Sequence, residues 1–130
     1  MGIKSVADMV KAANEEIKTY SIEEANQLVD ESKALFVDIR DVRELQKLGK
    51  IVGAEHAPRG MLEFWVDPQS PYHKEFFAQS DKTYIFYCAS AWRSALAAKA
   101  MQDMGMENVS HLEGGFSAWQ SAEMPIEPLT

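Results

Sequence analysis

The sequence predicts an α/β sandwich, a mainly parallel sheet covered by helices on both faces, and three observations carry that expectation. Segments with helical spacing of apolar residues alternate with short β-rich runs along the whole chain, the pattern of strands joined by crossover helices. The run from Ala34 to Arg40 is apolar almost throughout, as suits a strand buried on both faces better than one with a wet side. The chain has 130 residues, 46% hydrophobic and 25% charged, an ordinary globular composition for one domain. That length buries roughly two-thirds of the unfolded surface without disulfides or a structural metal.

The elements follow in order. Val6, Met9, Val10, Ala13 and Ile17 fall at helical spacing and predict an amphipathic helix from Ser5 to Lys18. Ser21 with Glu24 three positions on forms a capping-box pattern, and Ile22, Ala25, Leu28 and Val29 continue a second helix to about Asp30. After the Ala34–Arg40 strand, Asp41 to Leu48 reads as a helix stopped by Gly49. Ile51 to Ala57 reads as one further strand, ended by Pro58. From Gly60 to Gln79, Pro68 and Pro71 interrupt two short aromatic-rich helical pieces, a candidate rim or lid. Thr83 to Cys88 is the clearest strand, short and rich in β-formers. Arg93 to Met104 is strongly helical and ends at Gly105. Val109 to Leu112 is a last strand, Gly114-Gly115 a turn, and Phe116 to Ser121 a final helix. No repeat or linker interrupts the chain, so residues 1–130 are expected to form one domain, with 1–18 a helical extension and 19–125 its core.

Charge and cysteine usage narrow the chemistry. Thirteen Lys and Arg against twenty Asp and Glu give −7 with no basic run, which disfavours nucleic acid and anionic membrane as partners. No stretch approaches the ~18 apolar residues of a membrane span, and the first thirty residues show no signal-peptide block, so a soluble cytoplasmic protein is expected. The single cysteine, Cys88, excludes an internal disulfide, a zinc ribbon and a CxxC redox pair. His56, His73 and His111 lie far apart without ligand spacing, so no metal and no cofactor is expected, and packing or surface roles are their default.

Ligands of a parallel sheet bind beyond the carboxyl ends of its strands. Cys88 ends the clearest strand there, and Ala89, Ser90, Ala91, Trp92, Arg93 and Ser94 lead from it into a helix. Loop amides and a helix N-terminus favour negative charge, and with Arg93 they favour the thiolate over the thiol. Cys88 is then a nucleophile, and the Arg93 guanidinium offers a planar fork to an oxyanion. Position alone points more readily to a small core hydrophobe.

Four blocks together resemble the rhodanese-like sulfurtransferases. They are Asp38-Ile-Arg40 at a strand end, Gly49-Lys-Ile-Val-Gly53-Ala54, the Cys88 to Ser94 loop with Arg93 five positions after Cys88, and Leu112-Glu-Gly114-Gly115-Phe-Ser-Ala-Trp119. They keep the family's order from about Thr19 to Pro125. The resemblance implies a transferase of thiosulfate sulfurtransferase type on a three-layer α/β/α fold with an extra N-terminal helix. Cys88 would take a sulfane sulfur from a small anionic donor as a persulfide and pass it to a thiol, cyanide or protein acceptor, a form of covalent catalysis. Amides of residues 89–94 would hold the persulfide and Arg93 would orient the donor. The alternative is a regulatory module or partner-dependent sulfur carrier. Related phosphatases and arsenate reductases place five residues between Cys and Arg; this chain has four, which favours a single sulfur atom over a tetrahedral oxyanion. The third position after the cysteine is often Gly in the family and here is Ala91; if that site needs φ > 0, Ala costs roughly 1 kcal/mol.

Other residues border this picture. Arg59 is a candidate second cation for the pocket, with a solvated loop arginine as the alternative. Asp38 and Arg40 are expected to order loops through a local ion pair that can include Glu44. Trp92 and Phe64-Trp65 are candidates for the pocket wall and rim, and the Gly114-Gly115 amides for its border. Cys88 to Ser94 contains no carboxylate, so an anionic donor is expected to meet a locally positive mouth. The N-terminal helix either covers the sheet or pairs two chains, leaving monomer or homodimer open.

Overall fold

A computed structural model describes residues 2–129; Met1 and Thr130, the two ends of the expected domain, lie outside the described residues. Five strands form the main sheet: β1 (Lys18–Tyr20), β2 (Ala34–Asp38), β4 (Glu55–His56), β5 (Thr83–Tyr87) and β6 (Val109–Leu112). Their order across the sheet is β1-β6-β5-β2-β4, and every neighbouring pair runs parallel. The fold is therefore the α/β sandwich that the alternating pattern predicts, with β5 at the centre.

The helices are α1 (Val6–Glu16), α2 (Ile22–Asp30), α3 (Val42–Leu48), α4 (Leu62–Val66), α5 (Trp92–Asp103) and α6 (Gly115–Ser121). Two of them start on capping boxes, the first read from the sequence. Ser21 and Glu24 complete a reciprocal capping box on α2, and Asp41 with Glu44 does the same on α3. The strands sort their side chains with period 2. Val37, Tyr84 and Phe86 join Val10 and Ala13 of α1, Leu62 of α4 and Ala95, Ala98 and Met101 of α5 on one face. Phe36, Ile85 and Tyr87 join Ala25 of α2 and Phe116 and Trp119 of α6 on the other. Sixteen buried residues make up the first cluster, and α1 supplies two of them, so this helix covers the sheet as part of its core.

The structure departs from the sequence reading in three places. Lys18–Tyr20 is a strand pairing with Ser110–Leu112, where the sequence suggested only the end of one helix and the cap of the next. The expected Ile51–Ala57 strand is two separate pieces: Glu55–His56 joins β2 in the main sheet, while β3 (Lys50–Ile51) pairs antiparallel with β7 (Ile126–Glu127). Gly53, at φ 79°, turns the chain between them. The Gly60–Gln79 segment is chiefly a crossover. It must return the chain from the end of β4 to the start of β5, and Leu62 and Phe77 bury against α5's face on the way. Its later residues Val66 to Pro68 and Phe77 to Ser80 line a cavity of about 540 Å3 with Met104 to Asn108, before the amino ends of β5 and β6 and so at the other end of the strands from Cys88. Among the described residues, no helix is long and apolar enough to cross a membrane.

Candidate active site

Cys88 follows directly on the central strand β5 and is 1% exposed. The loop after it turns into α5 through Ala91, whose φ of 73° is left-handed. That conformation costs an alanine roughly 1 kcal/mol, and it is the conformation the Gly-to-Ala departure put in question. The turn aims the first amides of α5 back along the chain, and Ser94 N–H donates to Cys88 Sγ at 3.3 Å. A helix N-terminus therefore ends on the sulfur, where negative charge is stabilised.

The loop is held from behind by α6. Phe116 N–H donates to the Cys88 carbonyl at 2.8 Å and Ser117 N–H to the Ala89 carbonyl at 3.0 Å. Because each peptide unit is planar and trans, the N–H groups of Ala89 and Ser90 then point away from α6. Gly115 makes this approach possible, since a Cβ there would meet the Cys88 carbonyl oxygen at 2.6 Å and Ala89 backbone at 2.9 Å. The Gly114-Gly115 pair thus braces the loop's carbonyl side.

Arg93 does not present a free fork. Its two terminal nitrogens donate to the two carboxylate oxygens of Glu44, at 2.9 and 3.0 Å, across the gap between α5 and α3. Glu44 first, and Cys88 after it, hold the Arg93 guanidinium above its ordinary pKa range. In return, the Arg93 hydrogen bond draws the Glu44 carboxyl below its usual range. The expected positive mouth is corrected accordingly: the loop contains no carboxylate, but α3 brings one to it.

The expected ion pair of Asp38 and Arg40 forms, without Glu44. Arg40 Nη2 lies 2.7 Å from Asp38 Oδ2 with both side chains fully buried, and it also donates to the Gly49 carbonyl at 2.7 Å. The guanidinium carbon stacks 4.2 Å from the Phe116 ring centroid, tying β2 to α6. Arg59 stands at the carboxyl end of the sheet, where its N–H donates to the Ile39 carbonyl at 3.1 Å and Ile39 N–H donates to the Tyr87 carbonyl at 3.0 Å. It forks onto Glu63 one helical turn later, at 3.1 and 3.3 Å. Trp92, 48% exposed, stands at the loop's edge, and Phe64 packs edge-on against Tyr72 in solvent.

Sequence reasoning missed one residue near the sulfur. His111 is 1% exposed on β6, and its Nδ1 lies 2.9 Å from Ser94 Oγ, which in turn lies 3.6 Å from Cys88 Sγ. Burial pushes this imidazole down to about 4, so it is neutral at physiological pH. Its packing role holds, yet it packs behind the sulfur. Alternation along β6 puts His111 on the face of Val109, but only the pairing of β6 beside β5 reveals that this is also the face of Cys88.

With this geometry in view, known proteins can be set beside the chain. The family model described as the rhodanese-like domain matches residues 21–122. The thiosulfate sulfurtransferase GlpE of Pseudoalteromonas translucida is 30% identical over 105 residues, covering 81% of this chain and 90% of its own. An uncharacterized protein of Synechocystis is 32% identical over 100 residues, and the match spans 50% of that protein. Among solved structures, a Rhodopseudomonas palustris protein of unknown function, described as a possible tyrosine phosphatase, is 50% identical with a TM-score of 0.90, covering 98% of this chain and 97% of its own.

Proposed function

Because the chain belongs to the rhodanese-like domain family, we propose that it transfers a sulfane sulfur from a small anionic donor such as thiosulfate to a thiophilic acceptor through a persulfide on Cys88. The observation that carries this reading is the placement of Cys88 Sγ at the N-terminus of α5, 3.3 Å from the Ser94 amide. A thiolate there attacks the outer sulfur of the donor. A new sulfur–sulfur bond forms on Sγ, and sulfite leaves with the electrons of the old one. A thiolate or cyanide acceptor then attacks the outer sulfur of the persulfide and returns the Cys88 thiolate. Both leaving groups depart as anions, so neither step calls on an acid at the sulfur, and one cysteine suffices.

The loop amides hold the persulfide anion, and Arg93 orients the donor by exchanging its Glu44 partner for the donor's oxygens. Arg59, whose fork on Glu63 is exposed like that of Arg93 on Glu44, is the candidate second cation for the donor. The phosphatase description of the Rhodopseudomonas protein raises a second reading. Against it, four residues separate Cys88 from Arg93, a ring scaled to one sulfur atom.

Incubation with thiosulfate followed by intact-mass measurement should add one sulfur to the protein, with sulfite released on turnover in the presence of cyanide. Cys88→Ala should lose both. Normal turnover in that variant would refute the mechanism, and hydrolysis of an aryl phosphate that depends on Cys88 would favour the phosphatase reading instead. A persulfide that forms but turns over only with an added protein partner would identify a carrier.

A further inference from the structure

A chain of hydrogen bonds runs behind the Cys88 sulfur and takes no part in the sulfur-transfer steps above. Sγ lies 3.6 Å from Ser94 Oγ, and Ser94 Oγ lies 2.9 Å from His111 Nδ1. His111 Nε2 in turn faces two oxygens, Asn14 Oδ1 at 2.8 Å and Thr19 Oγ1 at 3.1 Å. The chain begins at a buried sulfur, passes through buried Ser94 and His111, and ends on Asn14, which is exposed on α1.

The partners fix its direction. The Asn14 carbonyl oxygen only accepts, so Nε2 carries the proton and Nδ1 is bare. Ser94 then donates its hydroxyl to Nδ1 and turns a lone pair toward Sγ, where it accepts the thiol S–H. The reverse arrangement is equally complete. With a thiolate at Sγ, the Ser94 hydroxyl donates to the sulfur beside its own N–H, Nδ1–H donates to Ser94 Oγ, the Thr19 hydroxyl donates to bare Nε2, and the exposed Asn14 amide turns its oxygen away and its N–H toward the same nitrogen. One acceptor-only oxygen and one hydroxyl at the same nitrogen let His111 satisfy either tautomer without leaving a buried polar group unpaired.

We propose that Ser94 and His111 conduct the Cys88 thiol proton to the surface at α1, with His111 a positioning residue that sets which way the Ser94 hydroxyl points. The proton count closes. Sγ–H passes its proton to Ser94 Oγ as Ser94 passes its own to Nδ1, and Nε2 releases its proton to water beside Asn14. The products are a thiolate, a neutral imidazole in the other tautomer and one solvent proton. Burial keeps the imidazolium a transient state, because it disfavours the charged ring.

Charged groups nearby leave the chain alone. On α5 and α3, Arg93 and Glu44 pair with each other on the donor side of Cys88. On α1 and α5, Glu16 pairs with Lys99, which also binds Asp103, and on β1 Lys18 stacks over Tyr20. None of them hydrogen-bonds His111, and burial is the one cause of its shift.

The inference rests on Cys88 being the working nucleophile, and its test needs no sulfur donor. The rate of Cys88 alkylation by iodoacetamide is measured against pH in the full chain, in Ser94→Ala and in His111→Phe, with His111→Gln used if the phenyl variant does not fold. Half-maximal alkylation should move up by about one pH unit in both kinds of variant, so that alkylation at pH 7 slows about tenfold. A His111 variant that folds with an unmoved or lowered midpoint overturns the proposal, because Ser94 would then serve the sulfur without the imidazole. Failure of the sulfur-transfer reading would look different: no added sulfur with any donor, and the alkylation profiles still shifted.

Discussion

In the proposed mechanism Glu44 competes with an anionic donor for Arg93. Its carboxylate takes both terminal nitrogens of Arg93, and the two side chains are 32% and 43% exposed. At that exposure the pair contributes up to about 1 kcal/mol, within reach of a competing anion. Glu44→Gln keeps the capping box on α3, because Gln serves that position as Glu does, while removing the negative charge from the mouth. The KM for thiosulfate should therefore fall roughly two- to fivefold with kcat unchanged, and the difference should shrink at high ionic strength. Steady-state kinetics at two salt concentrations check this; a KM that rises in Glu44→Gln would mean that the carboxylate positions Arg93 instead of competing for it. The pairing was half legible in the sequence. The sequence placed Glu44 on a helix and beside the Asp38–Arg40 pair, but nothing in a run of neighbouring residues says that it leans toward a residue 49 positions away.

At the scale of elements, the loop owes its shape to two helices that approach it from different sides. α5 supplies the Ser94 amide, and α6 holds the loop's carbonyls through Phe116 and Ser117. Gly115→Ala tests the second. The added Cβ would meet backbone at 2.6 and 2.9 Å in a residue whose φ is 63°, and backbone cannot step aside as a flexible side chain can. Urea unfolding should show a loss of at least about 1 kcal/mol, and sulfur loading of Cys88 should slow in the protein that remains folded. Unchanged stability and loading would show that α6 does not shape the loop. Elements with local signals were legible in the sequence: the capped helices α2 and α3, the β-rich run of β5 and the Gly105 stop after α5. Lys18–Tyr20 and Ile126–Glu127 were not, because strands of three and two residues carry no period of their own. They exist only through partners 92 and 75 positions away, Lys18 on Ser110 and Ile126 on Ile51.

Across the whole molecule, the histidine behind the sulfur also ties function to acid stability. His111 titrates at about 4 in the folded protein against an ordinary value of 6.5. Between those values the unfolded chain binds a proton that the native protein does not, so stability rises with pH across the window. It is fully present above about pH 6.5 and is lost as pH falls toward 4, by an amount on the order of 3 kcal/mol. The carboxylates act lower down. Asp41, drawn to about 2 by its hydrogen bonds from Arg43, and Glu44, held below its usual range by Arg93, stabilise the fold above their unfolded values and release it only as they protonate. Urea midpoints at pH 7, 6, 5 and 4.5 should therefore fall in the native protein and fall less steeply in His111→Gln, which has no proton to gain. Parallel slopes in the two proteins would mean that His111 takes up a proton in the folded state as readily as in the unfolded one. The imidazole would then be open to solvent, and the buried chain from Cys88 to α1 would lose its central link.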